Sequence, residues 1–181
     1  MSFVHHGPWD SHSRQSQALR FIEKHTLLID SLNLTSTPST TFYSPLAMLH
    51  DNKGDAHLGG SAIWTRMQRL FAPFSRIYHE VVELRVVPSP GDGRDVVYGE
   101  FLTHFWLRGD NDEVVAPRFF VWTLGEAVDG AGTEGLQFLE TRSFWDTGIL
   151  GRHVTERNRR AAGRETELAC KNMGASMLMI Q

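Results

Sequence analysis

The chain has 181 residues, a formal net charge of −3 and a single cysteine, Cys170. That length suits one domain with a real hydrophobic core. The near-neutral charge argues against a nucleic-acid surface, and one cysteine excludes an internal disulfide and fits a reducing, cytoplasmic setting. No stretch is apolar for long enough to span a bilayer, and the N-terminal segment lacks the apolar centre of a signal peptide. Eleven Phe and five Trp hint at an aromatic-lined cavity or interface. Cys170 itself reads as a small, buried or half-buried hydrophobe.

Residues 1–10 read as an irregular arm. From Ser11 a helical pattern begins, with Ala18, Phe21, Ile22, His25, Leu28, Ile29 and Leu32 recurring at threes and fours until Asn33. In TSTPST, Thr37-Pro38 supplies a cap and first turn for a very short second helix. FYSPLAML is a short extended segment that Pro45 assigns to a sheet edge. MLHDNKGDAHLGGSAIW, residues 48–64, gathers His50, Asp51, Asn52, Asp55 and His57 ahead of Gly59-Gly60, where the chain can turn sharply, and Ser61, a candidate cap. A third helix follows. Its stripe is Ile63, Met67, Leu70, Phe71 and Phe74, with Trp64 beside it and Pro73 as its stop.

Beyond this helix the period changes from about 3.6 to about 2. RIYHEVVELRVV, DVVYGEFLTHFWL, EVVAPRFFVWTL and GLQFLETRSFWDT read as four strands, separated by PSPGDGR, RGDND and GEAVDGAGTEG. Arg152 to Asn172 is charged and helix-compatible apart from Gly163, and it ends in the apolar MGASMLMIQ. The expected organisation is one domain: an arm (1–10), a core (11–151), and a C-terminal helix with an apolar tail (152–181). Helices first and a meander last is an α+β plan, in which a strongly curved, mostly antiparallel sheet wraps the helices into a cone.

Three stretches carry a resemblance. FYSPLAMLHDN, GGSAIWTRMQRLFAPF and SFWDT, in this order of elements, are similar to segments of the nuclear-transport-factor-2-like superfamily, in particular its SnoaL-like polyketide cyclases and isomerases. The resemblance covers roughly residues 12–150 and rests mainly on element order. It implies a cone with a small-molecule cavity and chemistry without metal or organic cofactor: isomerisation, cyclisation, dehydration or hydrolysis. Some relatives only bind ligands or dimerise. Relatives often carry an acid, two residues, then Asp at the end of the last strand, the first acid pointing into the cone. Here Asp146 takes the second position and Ser143 the first. A serine hydroxyl without a base exchanges protons poorly near neutral pH, so this departure leaves Ser143 either orienting a ligand or water or simply making room in the cavity.

Strand parity extends the reading. With Ser143 inside, so are Leu139, Thr141 and Trp145, while Glu140, Arg142 and Phe144 lie on the convex face. The apolar choice puts Val97, Gly99, Phe101, Thr103 and Phe105 inside on one strand, and Val115, Phe119, Val121 and Thr123 on the next. Arg118, Phe120 and Trp122 then fall outside. Glu100, His104, Arg118, Glu140 and Arg142, interleaved with Trp106, Phe120 and Trp122, would make a convex face suited to a homodimer. The inverted register stays open. It would bring Glu100, His104, Arg118 and Glu140 inside as a proton-transfer site.

The remaining candidates are His50, whose ordinary pKa of about 6.5 suits proton exchange, with Asp51 as its brace or partner, and the neighbours His79 and Glu80. Alternation allows only one of the last two to face inward, and amphipathicity leans toward Glu80. The loop spacing of His50, Asp51, Asp55 and His57 matches no tetrahedral zinc pattern, so no metal site is expected. The reading is thus a cofactor-independent isomerase, cyclase or dehydratase acting on a polycyclic or aromatic molecule of secondary metabolism. His50, Asp51, His79 and Glu80 are its candidate acids and bases. Trp64, Met67, Phe101, Thr103, Phe119, Val121, Thr141, Ser143 and Trp145 would line the pocket. A non-catalytic binding or dimerisation module is the alternative. Expected partners are a small molecule and a second copy of the chain, with neither nucleic acid nor membrane.

Overall fold

The computed structural model describes residues 2–160 and 162. It divides into two units, Met1–Asp146 and Thr147–Gln181. In the second, residues 147–160 are helical. Gly163, the rest of the expected helix to Asn172, Cys170 and the MGASMLMIQ tail lie outside the described residues. No helix among the described residues is long and apolar enough to cross a membrane.

The first unit is a curved, mixed seven-stranded sheet with helices against its concave face. Its strands are β1 (Phe3–His6), β2 (Tyr43–His50), β3 (Ala56–Leu58), β4 (Phe74–Pro88), β5 (Asp95–Leu107), β6 (Glu113–Glu126) and β7 (Leu136–Trp145). Its helices are α1 (Gln17–Ser31) and α2 (Gly60–Phe71). The strand order is β1-β4-β5-β6-β7-β2-β3, and only β2 and β7 run parallel. The four strands read from sequence are β4 to β7, and together with the helices they give the expected α+β cone.

α1 starts where the Ser16 side chain accepts a hydrogen bond from the Leu19 amide and ends at Leu32 in the left-handed region. It buries Ala18, Leu19, Phe21, Ile22, His25, Thr26 and Ile29, the apolar stripe that the spacing predicts. The segment from Ser11 to Ser16 is instead a short 3-10 turn at Ser13–Gln15. A second such turn, Ser39–Thr41, stands where the very short helix was expected.

Four local expectations need correction. The arm is not irregular: Phe3–His6 pairs antiparallel with β4, Phe3 opposite Val86 and His6 opposite Glu83. Four residues are too few to show a period, but they cover part of an otherwise bare strand edge. β2 is not an edge strand, since β7 flanks it on one side and β3 on the other. Pro45 is tolerated because the ladder with β7 slips between Tyr43 and Met48, where no amide donor is required. The N-cap of α2 is Gly59 at φ 89°, not Ser61. There the close approach is severe, since a Cβ on Gly60 would lie 2.6 Å from the Ser44 carbonyl oxygen. Phe74 begins β4 rather than ending α2.

The largest correction concerns β6. Val114, Ala116, Arg118, Trp122 and Leu124 are buried, and Val115 and Phe119 are exposed, so the strand faces the opposite way to the apolar choice. Register explains it. On β5, Val97, Gly99, Phe101, Thr103 and Phe105 do face inward, and residues directly opposite share a face. Phe101 lies opposite Arg118, and Gly99 opposite Phe120. A Cβ on Gly99 would come within 2.6 Å of Trp122, so the bare glycine makes room for an inward indole. A bulge at Val82, where the β4–β5 register slips between Val81 and Glu83, likewise lets Ile77, His79, Val81, Leu84 and Val86 all face the core.

Candidate functional site

The concave face brings together three ionisable side chains that chain order keeps far apart: His79, Asp30 and Arg118. His79 points inward from β4, and Asp30 reaches it from the last turn of α1. One carboxylate oxygen lies 2.6 Å from His79 Nδ1, and the other accepts the His79 backbone N–H at 3.2 Å. An acid in the last turn of a helix faces the negative end of the helix dipole, so Asp30 gains nothing from its own helix. Its partner is the imidazole. His79 is 7% exposed, and its Nε2 has no partner among the described residues.

Burial pushes His79 below the ordinary histidine value; the hydrogen bond and charge of Asp30 pull the other way, and Arg118 and His104 add to the lowering. The net lowering favours the uncharged ring. With Nδ1–H donated to the carboxylate, the lone pair sits on Nε2, which is the arrangement of a general base.

Arg118 projects from β6 onto the same face and is 6% exposed. Its guanidinium carbon lies 4.6 Å from the centre of the Phe120 ring and 5.1 Å from that of Trp145. Its Nη2 is 3.5 Å from Ser143 Oγ. Burial pulls Arg118 down to about 10, so it stays cationic at neutral pH. Around these groups stand Phe101, Phe105 and Trp145, with Phe105 and Trp145 stacked at 6.0 Å between centroids. Thr103, Thr141 and Ser143 are buried on the same face. Deeper in the core, His25 Nε2 is 3.5 Å from the Tyr43 hydroxyl, between the rings of Phe42 and Phe138.

Several residues read from sequence lie elsewhere. His50 faces the convex side, 3.4 Å from Glu140. Asp51 is not its partner. It accepts from the amides of Lys53 and Asp55 at 2.9 and 3.1 Å and pairs with Arg66 at 2.5 Å, bracing the loop against α2. Glu80 points outward, against the amphipathic reading, and contacts His104 at 3.1 Å, which also holds Glu113 at 2.7 Å. Of the inverted-register set, Arg118 alone turns inward; Glu100, His104 and Glu140 lie on the convex face. Phe119 and Val121, expected in the pocket, face outward with β6. Trp64 donates its indole N–H to the Thr37 and Leu34 carbonyls at 2.8 and 3.2 Å and packs on Phe42 and Tyr43, while Met67 is half-buried on α2. Leu139 falls at the slip in the β6–β7 register between Glu140 and Phe138.

Asp30 escaped the sequence reading entirely. Its signal was an acid following the apolar Ile29 and four residues after Thr26, on the buried side of α1 at the end that least favours negative charge. Among the described residues no trio of His, Cys, Asp or Glu converges on this concave face; His79 and Asp30 are engaged with each other.

No family model matches the sequence, and no curated protein matches it. Solved structures do resemble the fold. Aln2 from a Streptomyces species is 16% identical with a TM-score of 0.61, covering 80% of this chain and 99% of its own. Nuclear transport factor 2 from Cryptosporidium parvum is 15% identical with a TM-score of 0.55, covering 77% and 98%. A hexachlorocyclohexane dehydrochlorinase of the LinA type from Novosphingobium barchaimii is 10% identical with a TM-score of 0.58, covering 74% and 87%. Helices held against the concave side of a curved mixed sheet, in this order, give the chain the nuclear-transport-factor-2-like fold.

Proposed function

We propose that the chain is a cofactor-independent enzyme in which His79, oriented by Asp30, removes a proton from carbon in an apolar, ring-containing small molecule. The observation that carries this is the part-buried 2.6 Å contact between His79 Nδ1 and Asp30, with Nε2 unpartnered among the described residues. The C–H proton passes to Nε2, and Asp30 stabilises the resulting imidazolium. The electron pair left on carbon either expels a group from the next carbon, giving an elimination, or is delocalised and reprotonated elsewhere, giving an isomerisation or cyclisation. A dehydrochlorination named for one structural neighbour belongs to the first class. Phe101, Phe105 and Trp145 supply ring contacts; Thr103, Thr141 and Ser143 orient polar groups. The hydroxyl at Ser143 is no obstacle, because the base comes from α1 and β4 instead of β7.

The test is proton exchange. Wild type is incubated in D2O with a panel of cyclic ketones and ring compounds bearing β-halogen or β-hydroxyl groups. Deuterium incorporation or elimination is expected, and His79→Gln abolishes it. Unchanged turnover in His79→Gln overturns the assignment.

The convex face supports a second copy of the chain as partner. Tyr78, Tyr98, Val115, Phe119 and Phe144 are all exposed there, an apolar patch of the kind that dimer interfaces cover. The single cysteine fits a cytoplasmic location.

A further inference from the structure

Arg118 is a cation that the fold itself does not neutralise. No carboxylate among the described residues lies within ion-pair distance of it. Its Nε is buried without a hydrogen-bond partner, and so are Thr103 Oγ1 and Thr141 Oγ1 on the same face. A buried charge left in this state costs stability that an apolar side chain of similar size would not. The large majority of buried polar groups have a hydrogen-bond partner. Three orphans on one concave face therefore point to a polar ligand.

We propose that Arg118 binds the carboxylate of the substrate, so that the site takes ring-bearing carboxylic acids in preference to neutral ring compounds. The proposal rests on the reading of this face as a general-base site. The geometry favours a planar oxyanion over a spherical one. Aromatic rings lie beside the guanidinium, one Nη is directed to Ser143, and the Nε edge remains for the two oxygens of a carboxylate. Arg118 stands opposite Phe101, and His79 opposite Thr103, two residues further along β5. A ligand anchored at Arg118 thus extends its ring across β5 toward Nε2. Occupancy also changes the base. The charge of Arg118 opposes protonation of His79, and a bound carboxylate cancels that charge, so His79 becomes more basic when the site is filled.

The probes are 2-naphthoate and its neutral isostere 2-naphthamide, measured by calorimetry on wild type, His79→Gln, Arg118→Gln and Arg118→Lys. Naphthoate is expected to bind wild type and His79→Gln at least about tenfold more tightly than the amide, and Arg118→Gln to lose that preference. Arg118→Lys is expected to keep part of it, having the charge without the fork. In wild type the His79 ring titration, followed by NMR, is expected to move upward with naphthoate and not with the amide. Equal binding of acid and amide to wild type overturns the proposal, as does a preference that survives in Arg118→Gln. Displacement of naphthoate by equimolar chloride also overturns it, assigning a simple halide site instead. If the acid preference stands while His79→Gln retains proton exchange, the general-base reading falls and the carboxylate site remains.

Discussion

His25 gives the sharpest quantitative expectation. It is buried among Phe42, Tyr43 and Phe138, and burial, helped by the charge of His79, holds it at about 3 against an ordinary 6.5. The folded pKa is the lower one. As pH falls below 6.5 the unfolded chain takes up a proton that the folded chain refuses, so folded stability declines until about pH 3. With a full slope of about 1.4 kcal/mol per pH unit, His25 alone removes roughly 2 kcal/mol between pH 6.5 and 4.5, and about 5 kcal/mol over its complete titration. That is a large part of a typical total of about 5–15 kcal/mol. His79 acts in the same direction. Asp51, held by two backbone amides and Arg66, and Glu134, held by Lys24 and Arg20, have lowered values and lose their contributions as pH falls further, through the carboxylate range, which leaves pH 6.5–4.5 as a histidine window. His25→Gln cannot titrate but keeps a polar neighbour for the Tyr43 hydroxyl. Urea unfolding at several pH values across that window should show wild type declining more steeply than the variant by roughly 1 kcal/mol per pH unit. Parallel curves would refute the argument, because they would mean that water reaches the imidazole in the folded state.

Asp30→Asn should lower turnover by about 10²- to 10⁴-fold, by analogy with removing the carboxylate behind a catalytic histidine, while changing unfolding free energy by no more than about 1 kcal/mol, since a negative charge leaves a helix C-terminus; steady-state kinetics beside urea melts separates the two. Gly60→Ala should cost roughly 1–3 kcal/mol, because its Cβ would press on the backbone of Ser44, and the melting temperature reports it. Phe119→Glu with Phe144→Glu, two convex-face rings 6.3 Å apart, should yield a monomer by light scattering if this face joins two copies; an unchanged mass would reject that interface.

The long strands were legible because their alternation runs over a dozen residues, and β5 shows it most cleanly. β6 was not, because EVVAPRFFVWTL is apolar at both parities; the choice is made by Gly99 on the neighbouring strand, which leaves space for Trp122. β4 misled for another reason. The bulge at Val82 changes the parity, so counting back from Leu84 placed Glu80 inside when His79 is. The site divided in the same way. His79 and Arg118 could be named as candidates from their strands, but in opposite registers and without a link between them. Asp30 belongs to a different element and becomes visible only when α1 is docked on β4. His50 and Asp51 drew attention because they cluster in sequence, yet their neighbours in space are Glu140 and Arg66.

The brevity of the first strand has a consequence for His79. Its ladder on β4 stops at Glu83, so further down the strand the outer edge at His79 has no neighbouring chain to claim its amide. Asp30 takes that vacancy with one oxygen and the ring with the other, gripping main chain and side chain of the same residue at once. Had the N-terminal segment run on alongside β4, that berth would be filled and the imidazole would turn more freely. Where the β1 ladder ends, remote from Nε2, thereby governs how firmly the imidazole is held.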